Sequence, residues 1–133
     1  MRKVLIPIDG SDRSIKSVEV AKSLFKPGDV YIKLFLVRED LLGPLPDGSL
    51  EPPAGMAKKC LEEADAMLEG YDHEISIVFG RAGEQILETA KDDVVDMIVM
   101  TKSTKKGWVQ AIGSVTSYVV KYAPCVVMIA PEI

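Results

Sequence analysis

Histidine occurs once in the 133-residue chain, at His73, and cysteine twice, at Cys60 and Cys125. A metal site or a Ser-His-Asp hydrolase would have to be built on His73, with no second histidine or neighbouring cysteine to support it. An exposed, structural His73 is expected instead. Both cysteines fall inside apolar patterns, which predicts buried, reduced thiols and not a disulfide. No apolar run approaches the length of a membrane span, and the N-terminus passes straight into a strand pattern with nothing resembling a signal peptide. A cytoplasmic protein with no membrane partner is therefore expected. The chain also lacks a GxxxxGK[ST] loop and a GxGxxG fingerprint, so the usual nucleoside triphosphatase and dinucleotide motifs are missing. A receiver domain would need an acidic phosphoacceptor at the end of its third strand, where this chain reads Val78-Phe79-Gly80.

Acidic residues are missing from one region. The net charge is −4, yet residues 101–131 hold four lysines and no acid, while residues 1–100 hold 19 acids and 12 basic residues. A mildly acidic body has no general attraction for DNA or RNA, so no nucleic-acid partner is expected. A local cationic loop on such a body suits a small anion. Burial of the C-terminal strand also accounts for part of the asymmetry.

What the chain does have is an alternation of short apolar runs and amphipathic stretches. Val4 to Ile8, Val30 to Val37, Glu74 to Phe79, Asp96 to Met100 and Cys125 to Ile129 read as strands, most of them apolar throughout, as in a sheet buried on both faces. Between them come helical patterns. The first places Ile15, Val18, Ala21, Leu24 and Phe25 on one stripe, after a turn in which Ser11 or Asp12 can act as cap. The second follows Pro53 with Met56, Cys60, Leu61, Ala64, Met67 and Leu68. The third carries Ile86, Leu87, Ala90 and Val94, and the fourth Val115, Tyr118, Val119 and Tyr122. Residues 38–53 contain Gly43, Pro44, Pro46, Gly48, Pro52 and Pro53 and are expected to form a mobile surface loop without regular structure. The order β-α-β-α-β-α-β-α-β predicts a single α/β domain over residues 1–133, a parallel sheet with helices on both faces. Ligands bind such sheets beyond the carboxyl ends of the strands, where the strand order reverses. With the first strand central, Asp9, Val37 and residues 101–116 meet at that edge.

The stretch after the fourth strand, Thr101-Lys-Ser-Thr-Lys-Lys-Gly107-Trp-Val-Gln-Ala-Ile-Gly113-Ser114, has the outline of an anion site. A strand leads into a basic, hydroxyl-rich loop and then a helix capped by Ser114, whose free N–H groups and dipole favour phosphate. An ordinary strand-to-helix connection with solvated lysines fits the spacing equally well. Asp9, for its part, can cap a turn, bond a ribose hydroxyl or help hold a metal on a phosphate.

Five segments in this order resemble the universal stress protein family: Val4-Leu-Ile-Pro-Ile-Asp-Gly-Ser11, Gly83-Glu-Gln-Ile-Leu-Glu-Thr-Ala90, Asp96-Met-Ile-Val-Met100, Gly113-Ser-Val-Thr116 and Ala123-Pro-Cys-Val-Val127. The resemblance covers the whole chain. It implies a Rossmann-like, adenine nucleotide alpha hydrolase-like fold with strand order 3-2-1-4-5. It also implies a homodimer paired through the last strand at Val126, Val127, Met128 and Ile129. One branch of the family binds ATP and another does not. By the resemblance, Asp9 would sit at the ribose and Val37 would offer backbone groups to adenine. Ser114, Val115 and Thr116 would face the phosphates, with Pro7, Met100, Thr101, Lys102, Thr104 and Gly113 completing a site for ATP or AMP, and Mg accompanying ATP. The binding branch carries Gly, two residues, Gly, nine residues and then Gly-Ser or Gly-Thr. Here Thr101 and Thr104 replace the two glycines, and eight residues separate Thr104 from Gly113. A branched Cβ resists both positive φ and close approach of backbone to phosphate. The expected function is thus a stress-response protein acting by dimerisation and binding, without tight ATP binding. The alternative is an ATP- or AMP-binding switch with slow or no hydrolysis, at most a weak ATPase. The related adenine-nucleotide hydrolases would want Ser-Gly-Gly after the first strand, where this chain has Asp9-Gly10-Ser11.

Overall fold

Successive residues of a strand face opposite sides of a sheet, and the first strand shows why its run is apolar throughout. Val4, Ile6 and Ile8 enter one buried cluster and Leu5 enters another. The computed structural model describes residues 1–102 and 113–131; the expectations for Thr104 and for the lysines of the basic loop, Lys105 and Lys106, fall outside these residues. Its elements are β1 (Arg2–Pro7), α1 (Asp12–Leu24), β2 (Val30–Arg38), α2 (Gly55–Met67), β3 (Asp72–Phe79), α3 (Ala82–Asp92), β4 (Met97–Thr101), α4 (Ser114–Tyr122) and β5 (Val126–Ala130). The strands form one parallel sheet in the order β3-β2-β1-β4-β5, the order and class anticipated from the sequence.

Two cores sandwich the sheet. On one face Val4, Ile6, Ile32, Leu34 and Val99 pack with Ile15, Val18 and Ala21 of α1 and with Cys60, Leu61 and Ala64 of α2. On the other, Leu5, Phe35, Ile98 and Met100 meet Ile86 and Ala90 of α3 and Val119 of α4. Apolar area removed from water in these layers is the main stabilising term.

The helices bury narrower stripes than their patterns imply. Leu24, Met56, Val94, Tyr118 and Tyr122 are exposed. Leu24 and Met56 lie at the ends of their helices and Val94 lies beyond one. Tyr118 and Tyr122 instead lean on each other, ring centroids 5.0 Å apart. The second helix begins at Gly55 with an extended Ala54 before it, two residues later than the Pro53 start expected. Cys60 is buried, whereas Cys125 is half-buried; neither forms a disulfide. Burial, with Asp96 adding to it, pushes the Cys125 thiol up from its ordinary pKa, so it is a poor nucleophile.

His73 is not the exposed residue expected. It is half-buried, with Nε2 2.7 Å from Asp65 Oδ1 and Nδ1 2.8 Å from the Tyr71 carbonyl. Burial opposes the imidazolium, but the Tyr71 carbonyl and the Asp65 carboxylate outweigh it and hold its pKa above the usual value.

The end of α3 departs from sequence preference. The Val95 N–H bonds the Ala90 carbonyl at 2.9 Å and the Val94 N–H bonds that of Lys91 at 3.3 Å. This is a Schellman arrangement, in which the residue after the cap adopts the left-handed conformation usually given to glycine. Here that residue is Val94, at φ 52° and with its side chain in water. Val94→Gly is expected to stabilise the fold by about 0.5–1 kcal/mol, the left-handed cost of a branched residue less the entropy glycine adds to the unfolded chain. The urea midpoint should rise; an unchanged or lower midpoint would refute this reading of the turn.

Candidate functional site

Because β2 lies on one side of β1 and β4 on the other, the connections leaving β1 and β4 diverge and open a crevice at their carboxyl ends. A cavity of about 630 Å³ lies there, within the ordinary size range for a small-molecule site. Of the residues the sequence singles out, Pro7, Asp9, Val37, Met100, Thr101 and Val115 line it. Lys102, Gly113, Ser114 and Thr116 are not among its lining residues.

Asp9 follows β1 in a tight turn. Its Oδ1 accepts both the backbone N–H of Ser11, at 2.9 Å, and the Ser11 hydroxyl, at 2.6 Å. Ser11 occupies the N-cap position of α1, but its hydroxyl serves Asp9 and makes no cap bond. Gly10 allows the turn: its φ is +86°, and a Cβ there would stand 3.3 Å from Ala57 Cα in α2. The second helix thus packs directly on the turn that presents Asp9.

On the far side of the crevice, β4 and α4 are joined by two bonds. The Thr116 hydroxyl donates to the Thr101 carbonyl at 2.9 Å with both residues buried, and the Gly113 N–H donates to the Lys102 carbonyl at 2.9 Å. Gly113, not Ser114, holds the N-cap position of α4; Ser114 is the first helical residue and there is no side-chain cap bond. Thr116, expected to face phosphate, therefore has its hydroxyl engaged with the strand.

The third wall was not legible as a site. Residues 39–54 form no helix or strand, as expected, yet they are tied down. Arg38 is buried, its Nε and Nη2 each 2.9 Å from the two carboxylate oxygens of Asp40 and its Nη1 2.6 Å from the Glu51 carbonyl. The guanidinium beside Asp40 holds that carboxyl below its usual range. Glu39 Oε1 accepts the Ala82 N–H at 2.9 Å at the start of α3, where a carboxylate is favoured by the helix dipole. Arg38, Glu39, Asp40, Glu51 and Pro52 all line the cavity. The signal for them is a charged Arg-Glu-Asp run at the carboxyl end of a continuously apolar strand. Among the described residues, no group of three or more His, Cys, Asp and Glu side chains is placed to hold a metal. No described helix is long and apolar enough to cross a membrane.

The family model of the universal stress proteins matches residues 1–131. The chain belongs to that family. A universal stress protein of Methanocaldococcus jannaschii is 28% identical over 140 residues, covering 98% of this chain and 82% of that protein. A solved universal stress protein in complex with cAMP superimposes with a TM-score of 0.74 at 19% identity, over 99% of this chain and 98% of the other. A family member from Arabidopsis thaliana with AMP bound gives 0.73 at 19% identity, over 98% and 92%. At these identities the solved structures establish the shared fold.

In this universal stress protein the first of the two glycine-to-threonine exchanges has a specific setting. Thr101 is the last residue of β4, paired with Ala130 and buried. Among the described residues Val94 alone combines a side chain with positive φ. The backbone at Thr101 is extended and paired, the conformation a branched residue favours. Thr101 also lies in the wall of the cavity.

Proposed function

We propose that this universal stress protein binds an adenine nucleoside monophosphate in the cavity beyond β1, β2 and β4, without tight ATP binding. In this reading it works as a cytoplasmic stress-response protein that dimerises and binds, without rapid catalysis. The observation that carries the proposal is the cavity at the point of strand-order reversal, lined by Pro7, Asp9, Val37, Met100, Thr101 and Val115. AMP and cAMP in the two related structures support the ligand class. In this reading Asp9 meets the ribose and the backbone of Val37 meets the base. Ser114, Gly113, Lys102 and Thr104 complete the phosphate end.

Charge favours the monophosphate. The described walls present Asp9, Glu39, Asp40 and Glu51, while the one cation among the lining residues, Arg38, is already committed to Asp40 and the Glu51 carbonyl. Each further phosphate adds repulsion in a partly desolvated site. Thr101 narrows the same wall, and the segment before Gly113 is one residue shorter than in the family's ATP-binding branch. Titration calorimetry without divalent cation is expected to give AMP an affinity at least about tenfold above that of ATP, ~1.4 kcal/mol. ATP binding as tightly as AMP would overturn the monophosphate preference, and no heat with either nucleotide would overturn the site.

Dimerisation is proposed through β5. It is an edge strand of the sheet, with exposed Val126 at its start, and unpaired N–H and C=O groups on such an edge invite a second copy. Val127, Met128 and Ile129 also pack on their own chain's cores, so Val126 is the residue whose change least disturbs the monomer. Val126→Lys is expected to shift sedimentation toward monomer at low concentration. A wild-type protein that sediments as a monomer at high concentration would contradict the pairing.

A further inference from the structure

We infer that Arg38 is the positioning residue of this site: its guanidinium clamps residues 39–54 against the sheet as the cavity's outer wall, and the cavity binds nucleotide only while that clamp is closed. The inference rests on the nucleotide reading above and extends it to a residue outside the expected set.

Three features of the geometry carry it. Arg38 is the last residue of β2 and one of the few buried charged residues in the described chain. A desolvated guanidinium is costly unless its donors are met, and here Nε, Nη1 and Nη2 are all engaged. Secondly, the acceptors bracket the loop: Asp40 stands two residues after Arg38 and Glu51 thirteen after it. One planar group therefore pins both ends of a segment with no helix or strand of its own. The bonds inside the loop are local, such as Leu45 N–H to the Ser49 carbonyl at 2.7 Å and Ser49 to Asp47. They shape its tip without fastening it to the body; apart from Arg38, the loop is fastened at its first residue, where Glu39 accepts the Ala82 N–H. Thirdly, the pinned residues are themselves the wall. Arg38, Asp40, Glu51, Pro52 and Pro53 line the cavity opposite Asp9 and Thr101. A lysine cannot replace this arrangement, because its single ammonium offers no planar fork for a carboxylate and a carbonyl at once.

The test uses chymotrypsin, which cuts after leucine, and the full-length protein with AMP as probe. Leu42, followed by Gly43, is fully exposed on the loop, so cleavage after it reports the open population when opening is fast. Arg38→Met and Arg38→Lys are expected to speed loop cleavage at least about tenfold, in line with losing charge-assisted bonds to a buried group. Both should weaken AMP binding by a similar factor. Asp40→Ala changes an exposed side chain and should act in the same direction without touching the core. It keeps the test decisive if the Arg38 variants fold poorly. Urea midpoints are expected to move far less than the cleavage rate, a separation that a general packing role would not produce. Cleavage at the wild-type rate in Asp40→Ala and in the folded Arg38 variants would overturn the clamp. So would faster cleavage with undiminished AMP affinity. If wild type does not bind AMP, the nucleotide reading fails on its own, and the cleavage rates alone decide whether Arg38 holds the wall.

Discussion

The position of β1 at the centre of the sheet is the constraint from which the rest follows. Parallel strands need crossovers, and crossovers in this fold are right-handed. Helices following a central strand and its neighbour on the far side must therefore lie on opposite faces. Helices α1 and α2 accordingly share one core with β1, while α3 and α4 share the other. At the carboxyl ends of β1 and β4 the chain leaves in two directions, and no side chain from either core fills the gap. The cavity is thus a consequence of topology, and the identity of its walls is set by what the three flanking loops carry.

Those loops carry unlike chemistry. The Asp9 turn is fixed by Gly10 and Ser11, and it packs on α2 closely enough that a Cβ at Gly10 would crowd Ala57. The 39–54 wall is acidic and is held by the buried Arg38 and, at its first residue, by the Glu39–Ala82 bond. The β4–α4 connection supplies lysine and hydroxyl residues and is tied at its ends by the Thr116–Thr101 and Gly113–Lys102 bonds. Around the cavity the described walls set the acids Asp9, Glu39, Asp40 and Glu51 beside apolar residues such as Phe35, Val37 and Ile86. The single-phosphate preference proposed above rests on that excess of acid.

The fold was legible because the strands needed no alternation: Val4 to Ile8 and Leu34 to Val37 are apolar on both faces, a pattern that a two-sided parallel sheet requires. The central cavity residues were legible through order along the chain, since Asp9, Val37 and Thr101 each stand at or just past the carboxyl end of an apolar strand. The clamp was not. Arg38 reads as an ordinary polar residue at a strand end, and its partners are chosen by the path of an irregular loop that no periodicity describes. Helix stripes were over-read at Leu24, Met56 and Tyr122, where apolar character persists beyond the area the sheet can cover. His73 was misjudged for a similar reason: its partners, Asp65 and the Tyr71 carbonyl, come from the register of α2 against β3. Thr101 lies in extended, paired backbone, a setting that the spacing of the loop did not reveal.

The most direct test of the account is where a monophosphate lands. In an amide-resolved NMR titration with AMP, the signals of Asp9, Val37, Thr101 and Val115 are expected to shift together with a single affinity, while those of Val126 to Ala130 stay in place. Shifts centred on Lys3, Lys33 and Glu74 at the opposite end of the strands, or no shifts at millimolar AMP, would contradict it.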